Sequence, residues 1–139
     1  MISFASSELN VNQVGTAGEY LVTTMLLIAG YDAHRVDTVG YDIILMLEDG
    51  TAVRIDVKTK VELQDYYQFT IKKGKKTNFR GYESSDCDLL AFVCLEQAVV
   101  KFVSANDCEG KSAYSITKDQ FEATDFLTSL EEAIDSLYQ

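Results

Sequence analysis

The chain has few of the residues that build disulfide frameworks and zinc sites. In 139 residues it contains no proline, one histidine (His34) and three cysteines (Cys87, Cys94 and Cys108). A single histidine excludes a His-rich zinc site, and the three cysteines lack the spacing of metal ligands. Their odd number argues against a disulfide framework. We therefore expect reduced thiols in a cytoplasmic protein, with Cys87 and Cys94 as small apolar residues at a buried strand.

Long apolar runs are missing as well. No segment reaches the roughly 18 uninterrupted apolar residues that a membrane-spanning helix needs. The first four residues lack the basic start of a signal peptide, so neither a signal peptide nor a membrane partner is expected. Hydrophobic residues still make up 47% of the chain, which favours a folded core and one domain spanning residues 1–139.

The charge balance is acidic, with 12 basic residues, 22 acidic residues and a formal net charge of -10. Nucleic-acid-binding proteins are usually basic, because phosphate neutralisation supplies much of their affinity. The overall charge therefore argues against such a partner. The basic residues are clustered, however: five of the 12 fall within one short segment, namely Lys72, Lys73, Lys75, Lys76 and Arg80.

This basic segment also contains Gly74, Asn78, Phe79 and, just after it, Gly81. A flexible basic loop with an aromatic residue is typical of contacts to a nucleic-acid backbone. A solubilising surface loop would have the same composition. The loop follows a strand predicted at about 66–73, which we expect near the charged strand at 51–60.

The hydrophobic pattern predicts a mixed central β-sheet flanked by helices, an α/β fold. One helix is expected over 12–29, ended by Gly30, and an acidic amphipathic helix over 124–138. The predicted strands lie near 34–36 and at 41–47, 51–60, 66–73, 89–95 and 97–103. The run 89–95 is apolar throughout, as in a strand covered on both faces. Residues 104–117 look irregular, with a short strand at 112–115.

Residues 51–60 alternate in polarity. Val53, Ile55 and Val57 fall on one face of the strand, and Asp56 and Lys58 on the other. A carboxylate and an ammonium group placed in this way can bind a divalent cation and set a positive charge beside a phosphate. Two solvated charges on an exposed strand face are the simpler interpretation of this motif alone.

Asp42 begins the preceding strand. A three-residue loop ending in Gly50 suits a type I turn followed by a G1 bulge. This turn predicts three facing pairs, Leu47 with Thr51, Leu45 with Val53 and Ile43 with Ile55. Asp42 then lies opposite Asp56, whereas a two-residue turn would put the two acids on opposite faces. Facing like charges cost roughly 0.2–1 kcal/mol, which a bound cation would offset.

Glu19 is a third acid, on the same face of the first helix as Val22, Thr23 and Leu26. A carboxylate in apolar surroundings is costly unless it is paired or binds a metal. Gly15 and Gly18 each weaken the helix by roughly 1 kcal/mol relative to alanine, which suggests a close approach of the backbone to another element. A favourable interaction of Glu19 with the helix dipole is the simpler explanation.

The order of helical Glu, Asp at a strand start and Asp-x-Lys on the next strand resembles the PD-(D/E)xK nuclease superfamily. The matching segments are Gly18-Glu19, Gly40-Tyr41-Asp42 and 55–59, Ile-Asp-Val-Lys-Thr. The resemblance covers about residues 12 to 104 and is strongest to small Holliday junction resolvases and intron-encoded homing endonucleases. Tyr41 stands where the motif has proline, and Asp56 stands where glutamate is usual.

This resemblance implies a restriction-endonuclease-like fold and a metal-dependent DNA endonuclease from a prokaryote or virus. Asp42, Asp56 and the Val57 carbonyl would bind Mg²⁺ or Mn²⁺, with Glu19 helping directly or through water. Lys58 would orient the attacking water and offset charge on the phosphate.

DNA is the implied partner. Gln68 resembles a polar residue that follows the motif in related enzymes, and would contact nucleic acid together with the basic segment. A homodimer or larger homo-oligomer is expected, since two copies would place two sites on two strands. One alternative is a catalytically inactive nuclease-like module that binds DNA or a protein partner. A further alternative is a phosphodiesterase that acts on another nucleic acid, such as RNA.

Overall fold

The computed structural model describes residues 10–62, 66–71, 73–75, 78–80 and 86–138. A short 3-10 helix at Ala105–Cys108 lies between the eighth and ninth strands. The other elements follow in chain order: α1 (Val11–Ile28), β1 (Asp32–Arg35), β2 (Ile43–Met46), β3 (Ala52–Lys60), β4 (Tyr66–Thr70), β5 (Lys73–Lys75), β6 (Asn78–Arg80), β7 (Leu89–Cys94), β8 (Val99–Ser104), β9 (Ala113–Thr117), α2 (Lys118–Glu122) and α3 (Phe126–Leu137).

The main sheet has five strands in the order β1-β2-β3-β7-β8. Only β3 and β7 are parallel, and the other neighbouring strands are antiparallel. All six residues of β7 are buried, as predicted for the apolar run 89–95. The sheet and its flanking helices confirm the predicted α/β fold.

The two long helices cover one face of this sheet. Val22 and Leu26 of α1 and Leu130 of α3 join Ile55 and the other inward residues of β3 in one apolar core. The start of α1 is fixed by a reciprocal capping box between Asn10 and Gln13. At its end, Gly30 has a φ of 93° and the Tyr31 amide donates to the Leu26 carbonyl, as in a Schellman motif.

Helix α1 crosses β3 at very short range. A Cβ atom on Gly18 would lie 1.9 Å from Oγ1 of Thr59, so only glycine fits this crossing. A Cβ atom on Gly15 would have nothing within 4 Å of it. The close approach expected from the two glycines is therefore real at Gly18, and the following residue, Glu19, contacts Arg35 of β1.

On the opposite face of the sheet, a two-stranded ribbon of β4 and β9 packs against β7 and β8. Tyr67 and Phe69 of β4 pack with Phe92 and Phe121 in a second core. We expected the strand at 66–73 near β3, but the structure pairs it with β9. The physical reason is that β2 and β7 already occupy both edges of β3, so a further strand can only cover a face.

Within the region 104–117, β9 confirms the short strand expected at 112–115, and the 3-10 helix precedes it; α2 follows without having been predicted. Helix α3 is confirmed within two residues at each end, with Glu131, Glu132 and Asp135 exposed. All three cysteines are buried and form no disulfide. Among the described helices, none has the length and apolarity of a membrane span.

The basic segment forms a short hairpin where the structure describes it. Strands β5 and β6 pair antiparallel, with Lys73 opposite Arg80 and Lys75 opposite Asn78. The flexible loop predicted here is thus partly replaced by regular backbone pairing. Lys72 and Lys76 lie outside the described residues.

Candidate active site

The β2–β3 hairpin has the register that the sequence predicts. Ile43 faces Ile55 and Leu45 faces Val53, while the Leu47 amide donates to the Thr51 carbonyl at 2.9 Å. Gly50, with a φ of 88°, supplies the left-handed residue that the turn requires. This register puts Asp42 beside Asp56, on the face of the sheet away from α1.

Asp42 is bound to β3 by its main chain and its side chain. Its amide donates to the Ile55 carbonyl at 2.8 Å, and its Oδ2 accepts from the Val57 amide at 2.8 Å. The pKa of the Asp42 carboxyl is raised from 3.8 to about 6, chiefly by burial and also by the nearby negative charges of Asp56 and Glu19, while the Val57 hydrogen bond opposes the rise. The three acids therefore interact electrostatically, and Asp42 also shares a hydrogen bond with Asp56.

Asp56 is the most buried of these acids, with only 4% of its surface exposed. A buried carboxylate is costly without a partner of opposite charge. Lys58, two residues later on the same face, provides one at 3.6 Å from Nζ to Oδ2. The structure thus brings together Asp42, Asp56 and Lys58.

The Val57 side chain lies in the core beneath α1. The role of its backbone in the structure is to donate its amide to Asp42, which fixes one carboxylate oxygen of the pair. The use of its carbonyl as a metal ligand remains a prediction.

Glu19 is engaged with a residue that the motif does not contain. The Arg35 Nε donates to Glu19 Oε1 at 3.0 Å, and the Arg35 guanidinium lies 4.5 Å from the centre of the Tyr20 ring. Arg35 was not predicted as a site residue. Its position at the end of the strand that precedes Asp42 was the available signal.

A second missed ion pair braces the strand that carries the motif. Arg54 donates through its amide, Nε and Nη2 to the Asp88 carboxylate, and the Asp88 amide donates back to the Arg54 carbonyl. Tyr41, which replaces the motif proline, lies with its ring 5.8 Å from the Arg54 guanidinium. This brace joins the segment before Asp42 to the starts of β3 and β7.

The predicted nucleic-acid-binding residues are spread over separate elements. Gln68 is exposed on β4, whose alternate residues Tyr67 and Phe69 point into the second core. Lys73, Lys75 and Arg80 belong to the β5–β6 hairpin.

The paired carboxylates of Asp42 and Asp56 are the oxygen donors that a divalent cation would use at this site. Within the described ranges, no group of three or more Asp, Glu, His or Cys side chains is arranged to hold a metal ion. Mg²⁺, however, is often held by one or two carboxylates, with water and substrate phosphate completing its shell. Asp42 and Asp56 fit that mode, because they are hard oxygen donors whose mutual repulsion a cation would relieve. Glu19 is paired through its Oε1 with Arg35.

Solved structures that share this fold include two nucleases. The bacterial homing endonuclease I-Ssp6803I superposes with a TM-score of 0.62 and 14% identity, covering 94% of this chain and 99% of that chain. Hjc, a Holliday junction resolvase from Archaeoglobus fulgidus, gives a TM-score of 0.53 and 18% identity, covering 86% and 94% respectively. No family model and no curated protein matches the sequence. The structural likeness confirms the restriction-endonuclease-like fold that the PD-(D/E)xK resemblance implied.

Proposed function

We propose that the chain is a metal-dependent DNA endonuclease that hydrolyses phosphodiester bonds. The observation that carries this proposal is the pairing of Asp42 with the nearly buried Asp56, with the Lys58 ammonium 3.6 Å from Asp56. Two acids and one amine of this kind suit phosphoryl chemistry, which needs a cation site and a positive charge beside the phosphate. The fold it shares with a homing endonuclease and a junction resolvase supports the same conclusion.

Asp42, Asp56 and the Val57 carbonyl would hold Mg²⁺, or Mn²⁺, and Glu19 would join them directly or through water. When bound, the ion would supply an activated water and stabilise negative charge on the phosphate. Asp42 has to give up its proton to act as a ligand, and its raised pKa makes this step sensitive to pH.

Lys58 has two tasks in this proposal. Its ammonium, held near Asp56, would orient the attacking water and offset charge that develops on the phosphate oxygens. The Val57 amide keeps the Asp42 carboxylate turned toward Asp56, so the two acids stay aligned while substrate binds.

DNA would lie along the face that carries these residues. Gln68 and the basic segment, consisting of Lys72, Lys73, Lys75, Lys76 and Arg80, would contact its backbone. We propose a homodimer of a single nuclease domain, because two sites could then act on two strands of a duplex or a branched molecule.

The test is cleavage of a panel of labelled DNAs with Mg²⁺: linear duplex, four-way junction, flap and single strand. Asp56→Asn and Lys58→Ala should each reduce cutting by at least about a hundredfold, the usual scale for loss of one transition-state contact. Asp49→Asn, an exposed acid in the hairpin turn, is the matched control. Undiminished cutting by a folded Asp56→Asn protein contradicts the proposal.

A second candidate is a binding module that retains the fold without catalysis. The net charge of -10 and the engagement of Glu19 by Arg35 favour it. Titration with Mg²⁺ distinguishes the enzyme from the binding module. An enzyme gains thermal stability that Asp42→Ala removes, because ligand binding to the folded state raises stability. A module without a cation site shows no response and cuts none of the DNAs.

A further inference from the structure

Arg35 is a cation at the rim of the candidate active site. Its strand partner is Ile43, the residue after Asp42, and the amide of the next residue, Val36, donates to the Asp42 carbonyl at 2.9 Å. The end of β1 is therefore attached directly to the segment that positions Asp42.

The Arg35 side chain contacts two consecutive residues of α1. Nε donates to Glu19 at 3.0 Å, Nη1 donates to the Tyr20 hydroxyl at 3.4 Å, and the guanidinium stacks on the Tyr20 ring. We call the Glu19–Arg35 contact the resting ion pair.

We propose that Arg35 is a positioning residue that exchanges Glu19 for a phosphate of bound DNA, and thereby releases Glu19 to the cation site at Asp42 and Asp56. This inference rests on the proposed function. The exchange would add that DNA binding and cation binding depend on each other through one arginine.

The exposure of the resting ion pair allows such an exchange. The side chains of Arg35 and Glu19 are 35% and 18% exposed. Ion pairs in contact with water contribute only about 0–1 kcal/mol, so a competing phosphate can displace the carboxylate. The planar guanidinium also matches a phosphate as well as it matches a carboxylate, because it can donate two parallel hydrogen bonds to either.

The charge balance around the site gives the exchange its direction. Glu19 lies close enough to Asp42 for their negative charges to repel each other. In the free protein, Arg35 neutralises this third charge. Once a cation occupies the two aspartates, Glu19 is attracted toward it, and the arginine becomes available to the DNA. By thermodynamic linkage, each ligand then tightens the binding of the other.

A double-mutant cycle tests the exchange without measuring catalysis. The full chain, Arg35→Ala, Glu19→Gln and the double variant are titrated with Mg²⁺ alone in a calorimeter. Arg35→Ala should tighten Mg²⁺ binding by at least about fivefold, the lower range of coupling between linked sites. In the Glu19→Gln background the same substitution should change affinity less than about twofold. Lys60→Ala, which removes an exposed cation at the end of β3, is the control.

Linear duplex DNA in EDTA supplies the second readout. Arg35→Ala should weaken its binding, and Arg35→Lys should restore it only in part, because lysine lacks the forked donors. Glu19→Gln should tighten DNA binding when Arg35 is present and have no effect when it is absent.

The outcomes are distinguishable. Equal effects of Arg35→Ala in both Glu19 backgrounds overturn the exchange, because the arginine would then act only through long-range charge. An effect of Lys60→Ala equal to that of Arg35→Ala overturns it for the same reason. Failure of the wild-type chain to bind Mg²⁺ overturns the proposed function as well, whereas Mg²⁺ binding without coupling overturns the exchange alone.

Discussion

The Val57 amide donates a 2.8 Å hydrogen bond to Oδ2 of Asp42. Val57 is the residue between Asp56 and Lys58, so this one bond fixes the first acid relative to both charged groups of the motif. Because side chains alternate along a strand, a shift of one residue in the hairpin would separate the two acids onto opposite faces. Gly50, whose left-handed conformation sets this register, is therefore as important to the site as the acids themselves.

Asp42→Asn should stabilise the metal-free protein at neutral pH. The pKa of Asp42 is raised from 3.8 to about 6, so the folded state binds more protons than the unfolded state between these values. In the wild type, the free energy of unfolding should therefore fall as pH rises from 3.8 to about 6. Above about pH 6, the stabilising contribution of protonated Asp42 is gone. The amide variant keeps an acceptor for Val57 without the charge, and should gain roughly 1–3 kcal/mol above about pH 6.

Urea unfolding from pH 4 to 8 measures this effect. The gain should disappear toward pH 4, and a difference that is independent of pH would contradict it. Asp49→Asn is a control of opposite sign. In the wild type, hydrogen bonds from Thr51 lower the pKa of the Asp49 carboxyl. The charged carboxylate therefore stabilises the fold above pH 3.8, and this contribution is lost as pH falls.

Mg²⁺ binding should depend on pH through the same carboxyl. Protons and the cation compete for Asp42, so the apparent Mg²⁺ affinity should fall by about tenfold per pH unit below about 6. Above that pH the affinity should level off. Thermal stabilisation by Mg²⁺, measured from pH 5 to 8, checks this, and Asp42→Asn should show a weaker and flatter response.

Gly18→Ala should destabilise the fold because the added Cβ would lie 1.9 Å from Thr59 Oγ1. Overpacking of this kind typically costs about 1–3 kcal/mol, and α1 must shift away from β3. The shift would also displace Glu19, so Mg²⁺ binding should weaken in parallel.

Gly15→Ala is the matched control on the same helix, since nothing lies within 4 Å of its added Cβ. It should stabilise the protein by up to about 1 kcal/mol through helix propensity. Thermal unfolding of both variants provides the comparison. Similar behaviour of the two would refute a tight crossing at Gly18. Thr59→Ala should partly rescue Gly18→Ala, because it removes the nearest atom.

Asp88→Ala should destabilise the start of the central strands. Asp88 accepts from the Arg54 amide at 2.8 Å and from two guanidinium nitrogens at 3.2 Å, and its loss would leave these partly buried donors unpaired. The expected cost is roughly 1–3 kcal/mol by urea unfolding. Asp32→Ala breaks the exposed pair with His34 and should change stability by less than about 0.5 kcal/mol. Equal effects of both would contradict the bracing role.

The core strands and the acid pair could be predicted because their signals are local. Alternation along 51–60 and the glycine at the end of the turn were enough to set the hairpin register, and the structure has that register. The unbroken apolar run at 89–95 likewise indicated a strand covered on both faces.

The partners of β4 and Glu19 could not be predicted in the same way. Strand β4 alternates like any half-buried strand, and its pairing with β9, about 45 residues away, depends on how the aromatic side chains fill the second core. Arg35 carries no motif, and its contact with Glu19 arises only when α1 folds across β1 and β3.

The sequence by itself determined that two acids and a lysine share one face of a hairpin, because strand period and turn chemistry are properties of neighbouring residues. Only the tertiary structure decided how the third acid is used. The helix can approach the sheet where Gly18 removes a side chain, and that approach places Glu19 beside Arg35 and within electrostatic reach of Asp42. Contacts between distant segments depend on packing, which no local pattern encodes.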